Sequence, residues 1–312
     1  MEENARRNQK GLIIFSIIYF IIICSLLGFY FYKQSIIKNE QTVNDKYQKE
    51  LQTLKNELED IENTGKQLSQ EITDIKNIDE GIIKAKEEVF LLASQLEKKI
   101  QEGNSEYKIA YLTFDDGPYA LTNSYLDILN RYRIKATFFT IGLDKDRCFD
   151  NRNQDCSVMY KKIVDNGHTI ANHTYSHRIF AGLYSNVDSF MYQVNLQEEL
   201  IKNRTGVITN IVRFPGGSAT AKGLKDGIIA RLREKNYGWV DWTAQNGDGG
   251  AIANTNKAWE NFVSSIDQNI EVVLFHDYSY TTLALLPQAI EYLQNSNYIL
   301  LPLFYDSVMI NK

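Results

Sequence analysis

Five short segments of this 312-residue chain carry side chains that commonly do chemistry in proteins. They are TFDDGP at 113–118, HTYSH at 173–177, RFPGGS at 213–218, DWTAQNGDGG at 241–250 and LFH at 274–276. The chain has four histidines, and three of them, His173, His177 and His276, fall in these segments. The fourth, His168, lies outside them and is expected to be a surface or packing residue. This concentration of titratable side chains predicts one shared active site.

The pair His173 and His177 predicts a metal site, although such a pair taken singly is also compatible with a structural role. If the segment forms one helical turn, residues four apart place both imidazoles on one face, a geometry that binds zinc. The glutamate of HExxH is missing, so the pair does not indicate a zincin protease. Asp116 supplies a third ligand, and three ligands with an open position are typical of catalytic metal sites. We expect one divalent ion, zinc first, with cobalt, nickel or manganese as alternatives.

Asp115 and Asp116 are adjacent at the end of a predicted strand. Neighbouring strand residues point in opposite directions, so one carboxylate can bind a cation while the other accepts a proton. Taken alone, this segment favours an ordinary turn rich in Asp, Gly and Pro over a functional site. Arg213 stands beside a tight turn whose backbone amides, near Gly216, are suited to stabilising an oxyanion. His276 is the candidate general acid.

The elements that position these segments alternate between strand and helix. From residue 107 onward, short β-rich runs are separated by amphipathic helices. We predict strands at 109–114, 136–141, 169–172, 211–214, 237–242, 272–275 and 298–303. Seven such units predict an α/β fold, a distorted (β/α)7 barrel, because a full eight-stranded barrel takes about 250 residues. Barrel active sites lie at the carboxyl ends of the strands, where the five segments fall.

The N-terminal part of the sequence predicts a membrane anchor. Residues 11–32 contain no charged side chain, and a helix of that length spans about 33 Å, enough to cross roughly 30 Å of hydrocarbon. The run is longer than a signal-peptide core, and no small-x-small cleavage site follows it. Basic residues within 1–10 favour a cytoplasmic location for that tail. We therefore expect a single-pass protein of the cell membrane whose remaining residues lie outside the cell.

Residues 41–103 predict a helical coiled-coil stalk. Apolar residues recur there at spacings of three and four: Tyr47, Leu51, Leu54, Leu58, Ile61, Leu68, Ile72, Ile75, Ile82, Val89, Ala93, Leu96 and Ile100. One heptad register accommodates them all, with breaks at Gly65, Asp79 and Lys86. A homodimer through the stalk follows as a prediction. The alternative is a single helix that packs its apolar stripe on the following domain, residues 107–312.

Composition excludes several classes of protein. Hydrophobic residues make up 44% and charged residues 23% of the chain, which is typical of folded proteins and not of disordered ones. The 34 basic and 39 acidic residues give a net charge of -5, which offers nucleic acid no attraction. Cys148 and Cys156 flank a polar stretch and could close a small disulfide loop in an oxidising exterior, two free thiols being the alternative.

The five segments, in this order, resemble the polysaccharide deacetylases with a NodB-homology domain, carbohydrate esterase family 4, over about residues 107–303. The resemblance implies a distorted (β/α) barrel and a divalent-metal hydrolase that removes acetyl groups from N-acetylated sugars. It also implies roles for six residues: the catalytic base Asp115, the metal ligands Asp116, His173 and His177, the partner of the base Arg213, and the catalytic acid His276.

The fourth segment departs from the family's pattern, in which an Asp is commonly followed by Trp. Here Asp248 is followed by Gly249. We expect Asp248 rather than Asp241 to tune the acid histidine, because Trp242 stands where the family's upstream Trp would fall. Trp242 and Leu274 are expected to wall the acetyl methyl group of the substrate.

Because the anchor and stalk would tether the following domain to the membrane, we expect its substrate to be a polymer close to the cell surface. We expect metal-dependent N-deacetylation of peptidoglycan N-acetylglucosamine. An exported poly-N-acetylglucosamine is the second candidate, and O-acetyl ester hydrolysis on xylan is a further one, although xylan and chitin from outside suit a released enzyme better. In another class of protein, the chain would be a membrane-anchored scaffold that binds glycan without turnover.

Overall fold

The structure of the chain is a computed structural model that describes residues 78–142, 148, 153–252 and 254–312. The predicted tail at 1–10 and the predicted anchor at 11–32 lie outside these residues, as does the predicted stalk up to residue 77. In the described part of the chain, no helix combines the length and the apolar character that a membrane crossing requires.

Helix α1, Ile78–Gln101, runs across the boundary between two compact units of the chain, which lies between Leu92 and Ala93. In the second unit, the buried positions of α1 are Ala93, Glu97 and Ile100. Ala93 and Ile100 belong to the apolar stripe of the coiled-coil prediction, whereas Glu97 does not, and all three pack inside the unit that holds the barrel. The unit therefore begins at Ala93, further toward the N terminus than the predicted domain start at residue 107.

The carboxylate of Glu97 fixes the end of α1 within this unit. It is fully buried and accepts hydrogen bonds from the hydroxyl of Tyr111 at 2.5 Å and from that of Ser307 at 2.6 Å. The backbone N–H of Val308 donates to it at 3.1 Å. A buried carboxylate is tolerated only when such donors satisfy its lone pairs. The last turns of α1 are therefore an integral part of this unit.

The described strands form one sheet of parallel pairs that curves into an incomplete barrel. They are β1 Lys108–Asp115, β2 Thr137–Thr140, β3 Thr169–Asn172, β4 Ile211–Val212, β5 Gly238–Trp239, β6 Ala244–Gln245, β7 Ile270–His276 and β8 Tyr298–Leu301. Their order is β5-β4-β3-β2-β1-β7-β6, with β8 paired to β1. β1 is central, since it pairs with β2, β7 and β8. The predicted α/β barrel of parallel strands is confirmed.

Helices connect most of these strands. After α1, the described α-helices are α2 Thr122–Tyr132, α3 Ser157–Asp165, α4 Val187–Thr205, α5 Lys225–Glu234, α6 Thr255–Ser265 and α7 Tyr280–Asn295. Local chemistry sets several of their ends. The side chain of Asn186 caps α4 by accepting from the N–H of Ser189 at 2.8 Å, and Gly206, with φ 77°, ends that helix.

Two predicted strands, 211–214 and 298–303, are shorter in the structure, at Ile211–Val212 and Tyr298–Leu301, and a third differs more. The run 237–242 was expected to form a single strand, but the structure has β5 at Gly238–Trp239 and a separate β6 at Ala244–Gln245. β6 pairs with β7, whereas β5 pairs with β4. A two-residue strand is too short to produce a period-two pattern in the sequence, so β6 was missed.

Alternate side chains of β1 point to opposite faces of the sheet, one toward the apolar core and the other toward the candidate site. Ala110, Leu112 and Phe114 pack into the apolar cluster that includes residues of the surrounding helices. The intervening side chains point to the other face of the sheet, the inside of the barrel. Among these, Thr113 and Asp115 are buried polar residues at the carboxyl end of the strand. The fold thus delivers polar groups to one end of the barrel interior.

Candidate active site

The site is built where β1 and β7 end side by side, with Asp115 and His276 paired in register. Asp116 follows β1 with φ 71°, a left-handed conformation that non-glycine residues rarely adopt. Such strained residues cluster at functional sites. Nε2 of His276 lies 3.8 Å from Oδ2 of Asp116. The first and sixth predicted strands therefore bring their carboxyl-end motifs into one site.

Asp116, His173 and His177 form a compact set of possible metal ligands. One ligand atom from each lies within 4.8 Å of the others. Oδ1 of Asp116 is 3.4 Å from Nε2 of His173 and 3.1 Å from Nε2 of His177. Three side chains from two strand ends thus converge as the sequence predicted, although by a different local geometry.

The HTYSH segment is a loop and not the helical turn that the spacing suggested. Thr174 has φ 64° and His177 has φ 51°, both in the left-handed region. These two reversals, rather than an i, i+4 helix face, bring the imidazoles of His173 and His177 to a centroid distance of 4.8 Å. The two histidines are therefore close together as predicted, but the expected helical turn is not what brings them together.

Two amide side chains hold this loop against α4. Asn172 accepts from the N–H of Thr174 at 2.9 Å and donates to the carbonyl of Val194 at 2.9 Å. Gln193 accepts from the N–H of Ser176 at 2.9 Å. Neither Asn172 nor Gln193 was predicted from the sequence. Asn172 directly precedes the first histidine, which is a usable signal, whereas Gln193 lies far along the chain and gives none.

The hydrogen bonds around His173 and Asp116 leave lone pairs that could bind a cation. Nδ1 of His173 is 2.8 Å from the carbonyl oxygen of Arg213, which only accepts hydrogen bonds. The proton of neutral His173 is therefore on Nδ1, and Nε2 presents a lone pair toward Asp116. Oδ1 of Asp116 is buried and has no hydrogen-bond donor among the described residues. Facing lone pairs around an orphaned carboxylate oxygen are the arrangement that a divalent cation stabilises.

The pKa values of the ligand candidates agree with this reading. Burial and the neighbouring His173 lower the pKa of His177 to about 4, so its imidazole is neutral at physiological pH. Burial opposes ionisation of Asp116, but the surrounding imidazoles of His173, His177 and His276 lower its pKa to about 2. Asp116 is therefore an anion and His177 a neutral donor, the states that bind metal. The residues present fit a zinc-type ion.

Asp115 is held by the buried guanidinium of Arg213. Nη1 of Arg213 donates to Oδ1 of Asp115 at 2.8 Å and to the hydroxyl of Thr113 at 2.7 Å. The same guanidinium lies 4.2 Å from the ring centroid of Phe139, a stacking distance. Oδ2 of Asp115 faces the ligand set, 3.5 Å from Nε2 of His173. One carboxylate oxygen is thus anchored and the other is turned toward the metal ligands.

His276 is paired with Asp248. Nδ1 of His276 lies 2.8 Å from Oδ1 of Asp248, and the backbone N–H of His276 donates to Oδ2 at 2.9 Å. The hydroxyl of Thr282 also donates to this carboxylate. Burial alone would lower the pKa of His276, but the hydrogen bond and charge of Asp248 raise it to about 9. His276 is therefore protonated at neutral pH, as a general acid requires.

Asp241 lies elsewhere, on the RFPGGS turn. Its carboxylate accepts from the N–H of Ser218 at 2.8 Å and from the hydroxyl of Ser218 at 2.6 Å. Gly216 in the same turn has φ 73°, and a Cβ there would lie 3.0 Å from the hydroxyl of Thr220. Asp241 thus shapes the turn that was expected to offer an amide near Gly216, whereas Asp248 contacts the histidine.

The two predicted walls of the acetyl pocket flank the Arg213 network. Leu274 is buried and pairs in register with Thr113. Trp242 is half-buried, with its ring centroid 5.9 Å from the guanidinium of Arg213. Both residues therefore border the proposed base and its partner, and their role toward the acetyl group stays a prediction.

Cys148 and Cys156 are joined in a disulfide, with Cα atoms 5.0 Å apart. Both cysteines are buried, and Cys156 immediately precedes α3. The bond therefore closes the loop between β2 and α3 on the face of the barrel that carries the site.

Comparison with known proteins gives the family. A family profile described as "Polysaccharide deacetylase" matches residues 102–230. A peptidoglycan-N-acetylglucosamine deacetylase of Bacillus cereus is 30% identical over 198 residues, which cover 62% of this chain and 68% of the relative. A bifunctional xylanase/deacetylase of Pseudobutyrivibrio xylanivorans is 28% identical over 193 residues, 61% of this chain and 29% of that protein.

Solved structures agree with this match. The catalytic domain of a peptidoglycan N-acetylglucosamine deacetylase from Eubacterium rectale superposes with a TM-score of 0.60 at 31% identity, covering 67% of this chain and 94% of that domain. Similarity of sequence and of fold thus extends over about two thirds of the chain, and the family profile spans the first three of the five motifs. The chain belongs to the polysaccharide deacetylase family, carbohydrate esterase family 4.

Proposed function

We propose that this chain removes the N-acetyl group from N-acetylglucosamine residues of peptidoglycan in a metal-dependent hydrolysis. One observation carries the proposal: the ligand set of Asp116, His173 and His177 lies between a carboxylate anchored by arginine, Asp115, and a protonated histidine, His276. An amide is a poor electrophile and water a poor nucleophile, so hydrolysis needs both to be activated. The site holds the groups for each task.

Asp116, His173 and His177 would hold the metal ion. When bound, a divalent ion polarises the amide carbonyl and lowers the pKa of water. The chain prepares the ligands: His173 is oriented through its Nδ1–H, and the loop that carries both histidines is fixed to α4 by hydrogen bonds. The metal assignment therefore rests on the donor set and its supports.

Asp115 acts as the general base in this proposal. Its Oδ1 is occupied by the guanidinium of Arg213, so Oδ2 is the atom that accepts the proton of the attacking water. Arg213 is fully buried and has several partners, including the carbonyl of Val240 at 3.3 Å. A cation fixed in this way holds the carboxylate of Asp115 in one orientation, with Oδ2 turned toward the metal ligands.

His276 acts as the general acid. Its Nδ1 is engaged by Asp248, which leaves Nε2 to donate a proton to the departing amine of the sugar. A backbone amide of the turn near Gly216 stabilises the negative charge that develops on the carbonyl oxygen. Trp242 and Leu274 limit the space for the acyl group to an acetyl methyl.

The choice of substrate rests on two kinds of support. The relatives include proteins named as peptidoglycan-N-acetylglucosamine deacetylases. The charge-free run 11–32 and the stripe within 41–103 favour a tethered enzyme that acts on polymer near the membrane, with the catalytic unit outside the cell. The disulfide between Cys148 and Cys156 suits an oxidising exterior. Dimerisation through the stalk remains part of the proposal.

Acetate release from four polymers tests the proposal with the full chain and added zinc: peptidoglycan, poly-N-acetylglucosamine, chitin oligomers and acetylxylan. We expect the fastest release from peptidoglycan and its loss on chelation of the metal. Faster release from poly-N-acetylglucosamine would identify that polymer, and not peptidoglycan, as the substrate. Faster release from acetylxylan would favour the ester hydrolysis that the xylanase/deacetylase relative suggests. Release from none of the four would favour a glycan-binding scaffold.

A further inference from the structure

Two tyrosine rings line the His276 side of the site. The ring centroids of Tyr278 and His276 are 5.1 Å apart, and those of Tyr278 and Tyr119 are also 5.1 Å apart. Both tyrosines are half-buried, so each ring is partly open to solvent. They come from the loops that follow β1 and β7, the strands that carry the proposed base and acid.

The phenol of Tyr278 lies within electrostatic reach of the reacting groups. Burial and the carboxylates of Asp116 and Asp248 raise the pKa of Tyr278 above its usual range. At physiological pH it is therefore a neutral hydroxyl that can donate or accept a hydrogen bond. An apolar ring face with a polar tip is the kind of surface that binds amphipathic ligands.

The backbone at Gly249 borders the same histidine. A Cβ at this position would lie 2.6 Å from Cε1 and 3.2 Å from Nε2 of His276. Any larger residue would crowd the edge of the ring that carries Nε2. The glycine leaves this edge open, so a ligand can approach Nε2 next to the tyrosine rings.

The proposed reaction requires the pyranose ring of the substrate to lie beside Nε2 of His276. The general acid donates to the nitrogen that stays on the sugar, and that nitrogen must come within about 3 Å of Nε2 of His276. The nitrogen is bonded directly to the pyranose ring, so the ring must lie beside the groups that surround Nε2. A pyranose has a C–H face and hydroxyl edges, which match the ring face and phenol of a tyrosine.

We propose, resting on the deacetylation above, that Tyr119 and Tyr278 form a sugar-binding wall that holds the pyranose ring of the acetylated residue. The wall gives the site its preference for amides of sugars over other acetamides. In this proposal, Tyr119 and Tyr278 contact the sugar directly. If they served only for packing, they would position His276 without contacting the sugar. These two roles differ in their measurable consequences.

Binding without turnover tests the wall directly. The full chain with Asp115→Asn is titrated by calorimetry with the pentamer of β-1,4-linked N-acetylglucosamine, and the native chain stripped of metal by a chelator serves as a second inactive background. We expect Tyr278→Ala and Tyr119→Ala each to weaken pentamer binding about tenfold. Tyr278→Phe keeps the ring and should lose less than threefold. Tyr192→Ala, an exposed tyrosine on α4, is the matched control and should lose nothing.

The proposal is overturned if the pentamer does not bind the inactive parents, or if Tyr278→Ala leaves its affinity unchanged. Equal losses in Tyr278→Phe and Tyr278→Ala would also overturn a role for the ring face. In the otherwise native chain, Tyr278→Ala should raise KM about tenfold and leave the alkaline limb of the pH profile in place. If the alkaline limb of the pH profile shifts in Tyr278→Ala while pentamer affinity is unchanged, Tyr278 positions His276 and does not bind the sugar.

The two proposals fail separately. Tyrosine-dependent binding of the pentamer without acetate release from any polymer would leave the wall standing and remove the catalytic proposal. Acetate release with an affinity that does not depend on Tyr119 or Tyr278 would remove the wall and leave the catalytic proposal intact.

Discussion

The backbone carbonyl of Arg213 accepts a hydrogen bond from Nδ1 of His173 at 2.8 Å, while the guanidinium of the same residue donates to Asp115 at 2.8 Å. Arg213 therefore orients one proposed metal ligand with its main chain and the proposed base with its side chain. Because the guanidinium also donates to the hydroxyl of Thr113, its position is set from within the barrel. The end of β4 thus couples the metal site to the base.

The Asp248→Asn variant should move the alkaline limb of the pH profile to lower pH. His276 must be protonated to act as acid, and its pKa of about 9 depends on the Asp248 carboxylate against the opposing effect of burial. Without that charge, we expect the pKa to fall to its ordinary value of about 6.5 or below. At pH 8 this lowers the protonated fraction, and with it the rate, about 30-fold. The pH dependence of kcat/KM is the measurement.

Asp241→Asn is the matched control for that shift, because Asp241 contacts Ser218 and not the histidine. Its alkaline limb should stay at the native pH whatever its effect on the absolute rate. An unmoved limb in Asp248→Asn, or an equal shift in both variants, would show that Asp248 does not tune His276.

Gln193→Ala should weaken metal binding although Gln193 is not a ligand. The variant loses the acceptor for the N–H of Ser176, which fixes the left-handed loop ending at His177. Supports of this kind typically contribute 10–100-fold to metal affinity. We expect a loss of about tenfold, measured by competition with a zinc chelator. Gln193→Glu retains the acceptor oxygen and should restore most of the affinity; equal losses in both variants would contradict a role for this hydrogen bond.

His168 should make the folded state sensitive to acid. The residue is buried, and its Nδ1 accepts from the N–H of Ala136 at 3.1 Å, which protonation would prevent. Burial lowers its pKa to about 3, below the value of about 6.5 in the unfolded chain. Between these values the unfolded state binds more protons, so the stabilisation is present above about pH 6.5 and is lost as pH falls.

Urea unfolding of the chelator-treated chain at pH 7 and pH 5 measures this effect. His168→Gln keeps an acceptor but cannot be protonated, so its free energy of unfolding should fall less than that of the native chain, by up to about 1.4 kcal/mol per pH unit. Parallel losses in the two proteins would show that His168 does not contribute to acid sensitivity.

Glu97→Ala should destabilise the catalytic unit. The substitution leaves the hydroxyls of Tyr111 and Ser307 and the N–H of Val308 without their buried acceptor. We expect a loss of about 2–4 kcal/mol in the free energy of unfolding. Glu97→Gln keeps one acceptor and should lose less, and Lys98→Ala, an exposed neighbour, should lose nothing measurable. A loss below about 0.5 kcal/mol in Glu97→Ala would show that α1 is not held by this carboxylate.

The strand ends could be predicted because the chemistry there is local in sequence. TFDDGP and LFH each place a reactive group directly after an apolar strand, and parallel strands bring such ends together. The positions of Asp116 and His276, 3.8 Å apart, follow from that rule. The pairing of Asp248 with His276 also agrees with the expectation from the fourth segment.

Other features could not be predicted, because they depend on distant contacts. The left-handed conformations of Thr174 and His177 are maintained by partners on α4, so the HTYSH spacing alone favoured a helical turn. Glu97 occupies no apolar position of the heptad, yet it is more deeply buried than Ala93 and Ile100, which do occupy such positions. The wall formed by Tyr119 and Tyr278 joins residues of two loops that are far apart in sequence.

The comparison of His173→Ala with Asp115→Asn tests the central claim most directly, with bound zinc and acetate release measured on the same preparations. His173→Ala should lose the metal and the activity together, because it removes a ligand atom from the set formed with Asp116 and His177. Asp115→Asn should retain zinc while turnover falls by at least 100-fold, because it removes only the proton acceptor. Equal loss of zinc in both variants would contradict the division of the two carboxylates into base and ligand.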